Sequence, residues 1–307
     1  MKEYQLFDKQ TTCFVYGLQR NAIQRMLDFD YICRREKPSI SAIINETRDG
    51  YHKAFYGTKE ILIPMFRTIE DAVKEFPDAS VMVNFASFRS AYRTTVKAME
   101  QKSIRTIAVI AEGVPERRER EMIAIAKKNK KVIIGPATVG GMAAGAFRIG
   151  NTGGMIDNIV GAKLHRAGSV GIVSKSGGMI NELFNIVARN TNGAYEGIAI
   201  GGDRYPGSTL LDHCLRYEKN PDIKMIVVLG EVGGTLEYEI AEALENGEIT
   251  KPLVFWATGT CAKVFPTSVQ FGHAGAMATG KKDTADAKNE ALRKAGAVVP
   301  NSFDDFG

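Results

Sequence analysis

One imidazole stands on an almost bare stretch of backbone, Val269-Gln270-Phe271-Gly272-His273-Ala274-Gly275-Ala276. Gly272 and Gly275 leave room for close approach and for dihedrals that other residues avoid. Ala274 and Ala276 add no bulk. Imidazole nitrogen is nucleophilic near neutral pH and forms covalent intermediates, so His273 could reach a bulky, charged reaction partner. Transient phosphorylation is the chemistry this suggests. Packing or capping in a glycine-rich turn is the alternative at this level. A second run, Gly230-Glu231-Val232-Gly233-Gly234, puts a carboxylate where it could orient an imidazole through its N–H. A solvated glutamate opening the next helix is the plainer reading. A third, Ser174-Lys175-Ser176-Gly177-Gly178-Met179, exposes backbone N–H groups at a positive helix end, a site for phosphate or carboxylate.

These runs need elements to position them. In the first half, strands are expected at 12–17, 40–45, 81–85, 107–111 and 132–136, with 61–64 as a short edge strand. Helices are expected at 22–29, 69–76 and from about Ser90. Near-continuous Val/Ile strands alternating with helices make a parallel, doubly wound sheet. A glycine-rich hinge runs from Gly140 to Gly154. The rhythm then restarts, with strands at 169–174, 197–201, 225–230, 253–257 and 297–299 and helices at 179–190, 209–217, 236–244 and 285–295. That is a second α/β domain of flavodoxin-like type. The domains are set at 1–155 and 156–307.

In open α/β sheets ligands sit at the carboxyl ends of strands. Gly17-Leu18-Gln19 follows the first strand without the dinucleotide fingerprint, which disfavours NAD. Ser87, Arg89 and Ser90 combine two hydroxyls and a guanidinium at a strand-to-helix junction, an anion site or an ordinary helix cap. Gly201-Gly202-Asp203-Arg204-Tyr205-Pro206-Gly207 holds too many special residues to be a simple connector. Gly275 to Lys282 nearly matches a nucleotide P-loop, but Lys282 replaces the metal-binding hydroxyl and no strand precedes it. His52 falls in a polar loop beside Lys53, and His165 and His213 suit structural or solvent roles.

Composition narrows the class. Of 307 residues 44% are hydrophobic and 24% charged, the balance of an ordinary soluble protein. The net charge of +5 is too mild for nucleic-acid binding, and the Lys127–Lys131 cluster reads as the end of a solvated helix. No apolar run reaches membrane-spanning length and no signal peptide opens the chain. Cys13, Cys33, Cys214 and Cys261 are scattered, which argues for free thiols, a reducing compartment and the cytoplasm, with no metal site.

The glycine-rich runs at 174–178, 201–208, 230–234 and 272–276, in that order, resemble the α subunit of succinyl-CoA synthetase and its relatives. Leu27 to Tyr31, Lys59 to Pro64, Asn84 to Ser87, Arg89 to Tyr92, Gly135 to Gly141, Gly150 to Met155 and Gly202 to Thr209 look more like the corresponding region of ATP-citrate lyase. The resemblance covers essentially the whole chain. It implies a CoA-binding Rossmann-like domain followed by a flavodoxin-like ligase domain. It implies that His273 takes phosphate from ATP and passes it to citrate, after which CoA thiol gives citryl-CoA. On it, Glu231 holds His273. Ser176, Gly177, Gly178 and Arg204 meet phosphate or citrate. Ser87, Arg89 and Ser90 bind CoA, with Gly17 and Lys53 alongside. Gly17 to Ala22 replaces the glycine-rich turn of ordinary succinyl-CoA synthetases, as in the citrate branch. Nothing resembles an ATP-grasp domain, so ATP and Mg2+ are assigned to a partner chain in a hetero-oligomer. Citrate lyases continue past Gly307 into a citrate-synthase-like domain. A piece of a lyase and a stand-alone citryl-CoA synthetase subunit both fit. A succinyl-CoA synthetase α subunit and a non-catalytic CoA-binding regulator are the alternatives.

Overall fold

A computed structural model describes residues 4–265 and 267–307. The first sheet is built from β1 (Cys13–Tyr16), β2 (Ile40–Ile44), β3 (Gly50–Tyr56), β4 (Lys59–Phe66), β5 (Val81–Asn84), β6 (Thr106–Val109) and β7 (Val132–Ile134). Its order is β3-β4-β2-β1-β5-β6-β7, parallel except for the antiparallel β3–β4 ribbon. Without β3 this is the order 3-2-1-4-5-6 of a dinucleotide-type fold, whose ligand crevice opens where the order reverses, between β1 and β5. Helices α1 (Arg20–Ile32), α2 (Ile69–Glu75), α3 (Phe88–Glu100) and α4 (Glu116–Asn129) connect the strands. β1, β5 and β6 are fully buried, which is why they read as unbroken apolar runs.

The second sheet starts inside the stretch expected to be a hinge. β8 (Gly141–Ala143) and β9 (Phe147–Arg148) form antiparallel strands there, and β8 pairs antiparallel with β11 (Ala194–Ala199). α5 (Ile156–Gly161) leads to β10 (Val170–Ser174), followed by α6 (Gly177–Asn190), α7 (Leu210–Lys219), β12 (Met225–Glu231), α8 (Leu236–Glu245), β13 (Leu253–Thr258) and α9 (Ala285–Lys294). The order is β13-β12-β10-β11-β8-β9. Its four parallel strands follow the 2-1-3-4 order of a flavodoxin-like sheet.

Three expectations are corrected. His52 and Lys53 lie within β3, not in a loop. The strand at 61–64 is eight residues long and lies inside the sheet, with β3 covering its outer side. Residues 297–299 contribute only an isolated bridge, Val298 to Val254. No helix of the described residues is long and apolar enough to cross a membrane.

Candidate active site

The carboxyl end of β12 carries Glu231, 5% exposed. Its backbone is fixed from below. Lys288 on α9, fully buried, donates to the carbonyls of Glu231 (2.7 Å) and Gly233 (2.6 Å) and to Glu237 Oε2 (2.6 Å). Glu237 Oε1 in turn accepts the Glu231 N–H at 3.2 Å. The carboxylate therefore projects from a strand end with little freedom.

His273 comes to it from 42 residues away. His273 Nδ1 lies 2.7 Å from Glu231 Oε2. A carboxylate accepts and does not donate, so Nδ1 carries the hydrogen and the neutral ring leaves Nε2 with its lone pair. The turn is set by Phe271 N–H to Ala276 O (2.9 Å), Ala276 N–H to His273 O (3.1 Å) and Gly275 N–H to Gly202 O (3.1 Å). Gly272 supplies the positive φ of +72°. The Glu231 hydrogen bond raises the imidazole pKa above its ordinary value, while burial and Lys175 oppose it.

Gly202 is the floor under the ring. A methyl group there would lie 2.3 Å from His273 Cγ. Gly202→Ala is expected to push the imidazole off Glu231 and, if His273 carries phosphate as the resemblance implies, to slow its labelling by about a hundredfold, the cost of a displacement near 1 Å. Initial labelling rates compared at matched circular dichroism check this. A rate within threefold of wild type would mean that the ring does not need this floor.

Lys175, to which the sequence alone assigns no role, belongs to the site. It is 4% exposed, and its Nζ lies 3.5 Å from Glu231 Oε1, an oxygen with no hydrogen bond. It lines a cavity of about 410 Å³ together with Arg204, Gly233, Glu237, Ala274 and Gly275. The signal was its place directly after β10, the same edge that presents Glu231 and His273. Residues 176–178 follow at once as the start of α6. Ser176 caps the helix by accepting the Met179 N–H at 3.3 Å, and the first-turn N–H groups of Gly177 and Gly178 have no intrahelical acceptor. A side chain at Gly178 would meet open space. Arg204 is exposed, with one guanidinium nitrogen 3.6 Å from Glu116.

The other predicted cluster forms at the first sheet's crevice. Gly17 ends β1 at φ +91°, and a Cβ there would lie 3.5 Å from Phe85 Cβ. Buried Asn84 pins the following turn by accepting the Ala86 N–H (3.0 Å) and donating to Thr94 (2.8 Å) and Thr95 (3.0 Å). Ser87 precedes α3 without capping it. Its hydroxyl lies 3.3 Å from that of Ser90, and Arg89 stacks on Phe88 at 5.1 Å. Lys53 stands apart on the edge strand, exposed and 3.1 Å from Glu60. His213 is structural, buried between Ser208 (2.9 Å at Nε2) and Arg216 (2.8 Å at Nδ1).

Residues 8–113 match the family model of a CoA binding domain, and residues 173–298 match that of a CoA-ligase. A probable ATP-citrate synthase of Dictyostelium discoideum is 57% identical over 98% of this chain, and the match covers 49% of that protein. Human ATP-citrate synthase is 55% identical over the full chain, which covers 28% of it. The structure of ATP citrate lyase from Methanothrix soehngenii in complex with citrate and coenzyme A superposes with a TM-score of 0.98 at 65% identity, over 99% of this chain and 50% of that one. The chain thus spans about half or less of the length of these relatives. With CoA-binding and CoA-ligase modules in this order, it belongs to the family of succinyl-CoA synthetase α-like regions of ATP-citrate lyase.

Proposed function

We propose that this chain is the CoA-binding, phosphohistidine-bearing part of an ATP-dependent citrate–CoA ligase. The observation that carries the reading is the 2.7 Å pairing of His273 Nδ1 with Glu231, which leaves Nε2 as the nucleophile beside a cavity holding Lys175 and Arg204. Nε2 attacks the γ-phosphorus of ATP, the N–P bond forms, and the bond to ADP breaks. A citrate carboxylate oxygen then takes the phosphoryl group and frees Nε2. CoA thiolate attacks the acyl carbon of citryl phosphate, phosphate leaves, and citryl-CoA results. Citrate and CoA are the ligands named for the Methanothrix relative.

The chain's own parts divide this work. The free amides at Gly177 and Gly178, with Ser176, suit the phosphoryl oxygens. Arg204 on the cavity wall suits a citrate carboxylate. Gly17, Ser87, Arg89 and Ser90 suit the CoA phosphates at the β1–β5 crevice. Lys53 joins them only by leaving Glu60. ATP and Mg2+ are supplied by an ATP-grasp partner in a hetero-oligomer. Four free thiols, three of them buried, fit the cytoplasm.

The test is acid-labile labelling from γ-labelled ATP with Mg2+ and the ATP-grasp partner, in wild type and His273→Ala, followed by a chase. Label is expected on wild type only, discharged by citrate plus CoA. Discharge by succinate and not citrate would move the assignment to succinyl-CoA synthesis. Undiminished label in His273→Ala would remove the mechanism.

A further inference from the structure

Helix α4 follows β6 of the first sheet, yet three of its side chains meet three consecutive residues of the loop that seats His273. Glu116 Oε1 lies 3.6 Å from the Arg204 guanidinium. Arg120 stacks over the Tyr205 ring at 5.6 Å. Between these exposed contacts, Glu119 meets Asp203 within hydrogen-bond reach, the two residues only 2% and 4% exposed. Glu119 Oε2 and Asp203 Oδ2 are both buried, and neither accepts a hydrogen bond from any donor. Two adjacent carboxylates in such a place cannot both ionise, so they are satisfied by one proton between them.

We propose that Glu119 and Asp203 are a one-proton clasp that positions the 201–207 loop, and through Gly202 the imidazole of His273. Asp203 directly follows Gly202, whose Cα faces the ring and whose carbonyl accepts the Gly275 N–H. Loosening Asp203 therefore loosens both the floor and one wall of the His273 turn. Its effect on phosphorylation rests on the function proposed above. Its effect on stability does not.

The surrounding charges say where the proton sits. Burial first, and then Asp203 itself, raise the Glu119 pKa; the Tyr205 N–H lowers it, and Glu116 from α4 adds a smaller rise. Burial raises Asp203 most, the Glu119 hydrogen bond lowers it, Glu112 ahead of α4 raises it, and His273 and Lys175 lower it. Burial raises both carboxyls, Glu119 to about 8. Glu119 thus holds the proton and donates it to ionised Asp203. The sign follows from linkage. A carboxyl whose folded pKa is raised binds more protons folded than unfolded. Its contribution is complete below the ordinary glutamate value, is lost as pH rises towards about 8, and above that two like charges push the clasp apart.

The experiment is a set of thermal unfolding curves from pH 6.5 to 9 for wild type, Glu119→Gln, Glu119→Ala and Asp203→Asn. His273 labelling with the ATP-grasp partner is followed over the same range. Glutamine keeps the donor and removes the titration. The wild-type midpoint is expected to fall by about 5 °C more than that of Glu119→Gln over this range, from about 1.4 kcal/mol per pH unit below the folded pKa. Glu119→Gln is expected to keep labelling above pH 8, where wild type loses it. Glu119→Ala is expected to unfold earlier at pH 6.5 and to label at least tenfold more slowly, a defect that glutamine does not share. Asp203→Asn removes the second charge but leaves Glu119 buried, so it is expected to lessen the alkaline fall without abolishing it. An alkaline fall in Glu119→Gln as steep as in wild type would overturn the clasp. So would Glu119→Ala matching wild type at pH 6.5. If wild type takes no label on His273 at any pH, the functional reading fails instead, and the unfolding curves still decide the clasp.

Discussion

Glu231→Gln is expected to slow phosphoryl transfer to His273 on the order of a thousandfold while leaving the fold intact. The reason is a choice of tautomer. In the wild type one Glu231 oxygen accepts the His273 Nδ1–H at 2.7 Å, and the other, without a hydrogen bond, faces Lys175 Nζ at 3.5 Å. Glutamine has one acceptor and one donor end. Lys175 can only donate, so the amide oxygen turns to Lys175 and the amide nitrogen faces the ring. That nitrogen donates to Nδ1 and drives the hydrogen to Nε2, the atom proposed to attack phosphorus. The same substitution moves the pH dependence. In wild type the rate is expected to fall as pH drops through an imidazole pKa held above its ordinary value, first by the Glu231 hydrogen bond. Without the carboxylate that pKa drops, so the acidic limb shifts to lower pH even as the plateau collapses. Rapid-mix labelling of both proteins across pH 5.5–8.5 reads both effects. A plateau within tenfold of wild type and an unmoved limb would show that Glu231 does not orient the ring.

What the sequence disclosed follows from how each element is buried. β1, β5, β6, β10 and β12 are covered on both faces and read as Val/Ile runs. β3 was hidden because its run Gly50 to Tyr56 is mostly exposed, with Ala54 alone buried, so no apolar period marks it. Its place is fixed by seven-residue pairing with β4, a contact that local pattern does not encode. β8 and β9 were hidden by the glycines around them, which read as a hinge while serving close packing. A Cβ on Gly141 would fall 2.5 Å from Ile198. At the site, Glu231 and His273 were legible because each follows a recognisable strand or lies on a bare turn. Lys175, Glu119 and Lys288 were not. Lysine and glutamate default to solvent in a sequence, and only the tertiary fold makes their burial visible. Arg204 was expected to meet citrate, and its pairing with Glu116 on α4 is a relation no local reading suggests.

Lys288 shows how much of the catalytic geometry depends on such a residue. Lys288→Met is expected to destabilise the chain by about 3–5 kcal/mol, because it leaves Glu237 as an unpaired buried charge and strands two carbonyls. Methionine matches the lysine stem in shape, so lost packing is a minor part of the effect. The damage has a direction. The freed carbonyls are those of Glu231 and Gly233, and a Cβ on Gly233 would lie 2.1 Å from the Gly275 carbonyl, so this backbone lies directly against the His273 turn. Residual folded protein should therefore label more slowly as well as unfold at lower urea. Adding Glu237→Leu removes the orphaned charge and should restore a large part of the stability. It does not restore the labelling rate, because the two carbonyls stay without their donor and Glu231 also loses the acceptor for its N–H. Urea titrations of the single and double variants, with labelling rates on the folded fraction, separate the two roles. Equal recovery of stability and rate in the double variant would reduce Lys288 to a counter-charge for Glu237. Recovery of stability alone would make it the post on which the Glu231 strand end is set.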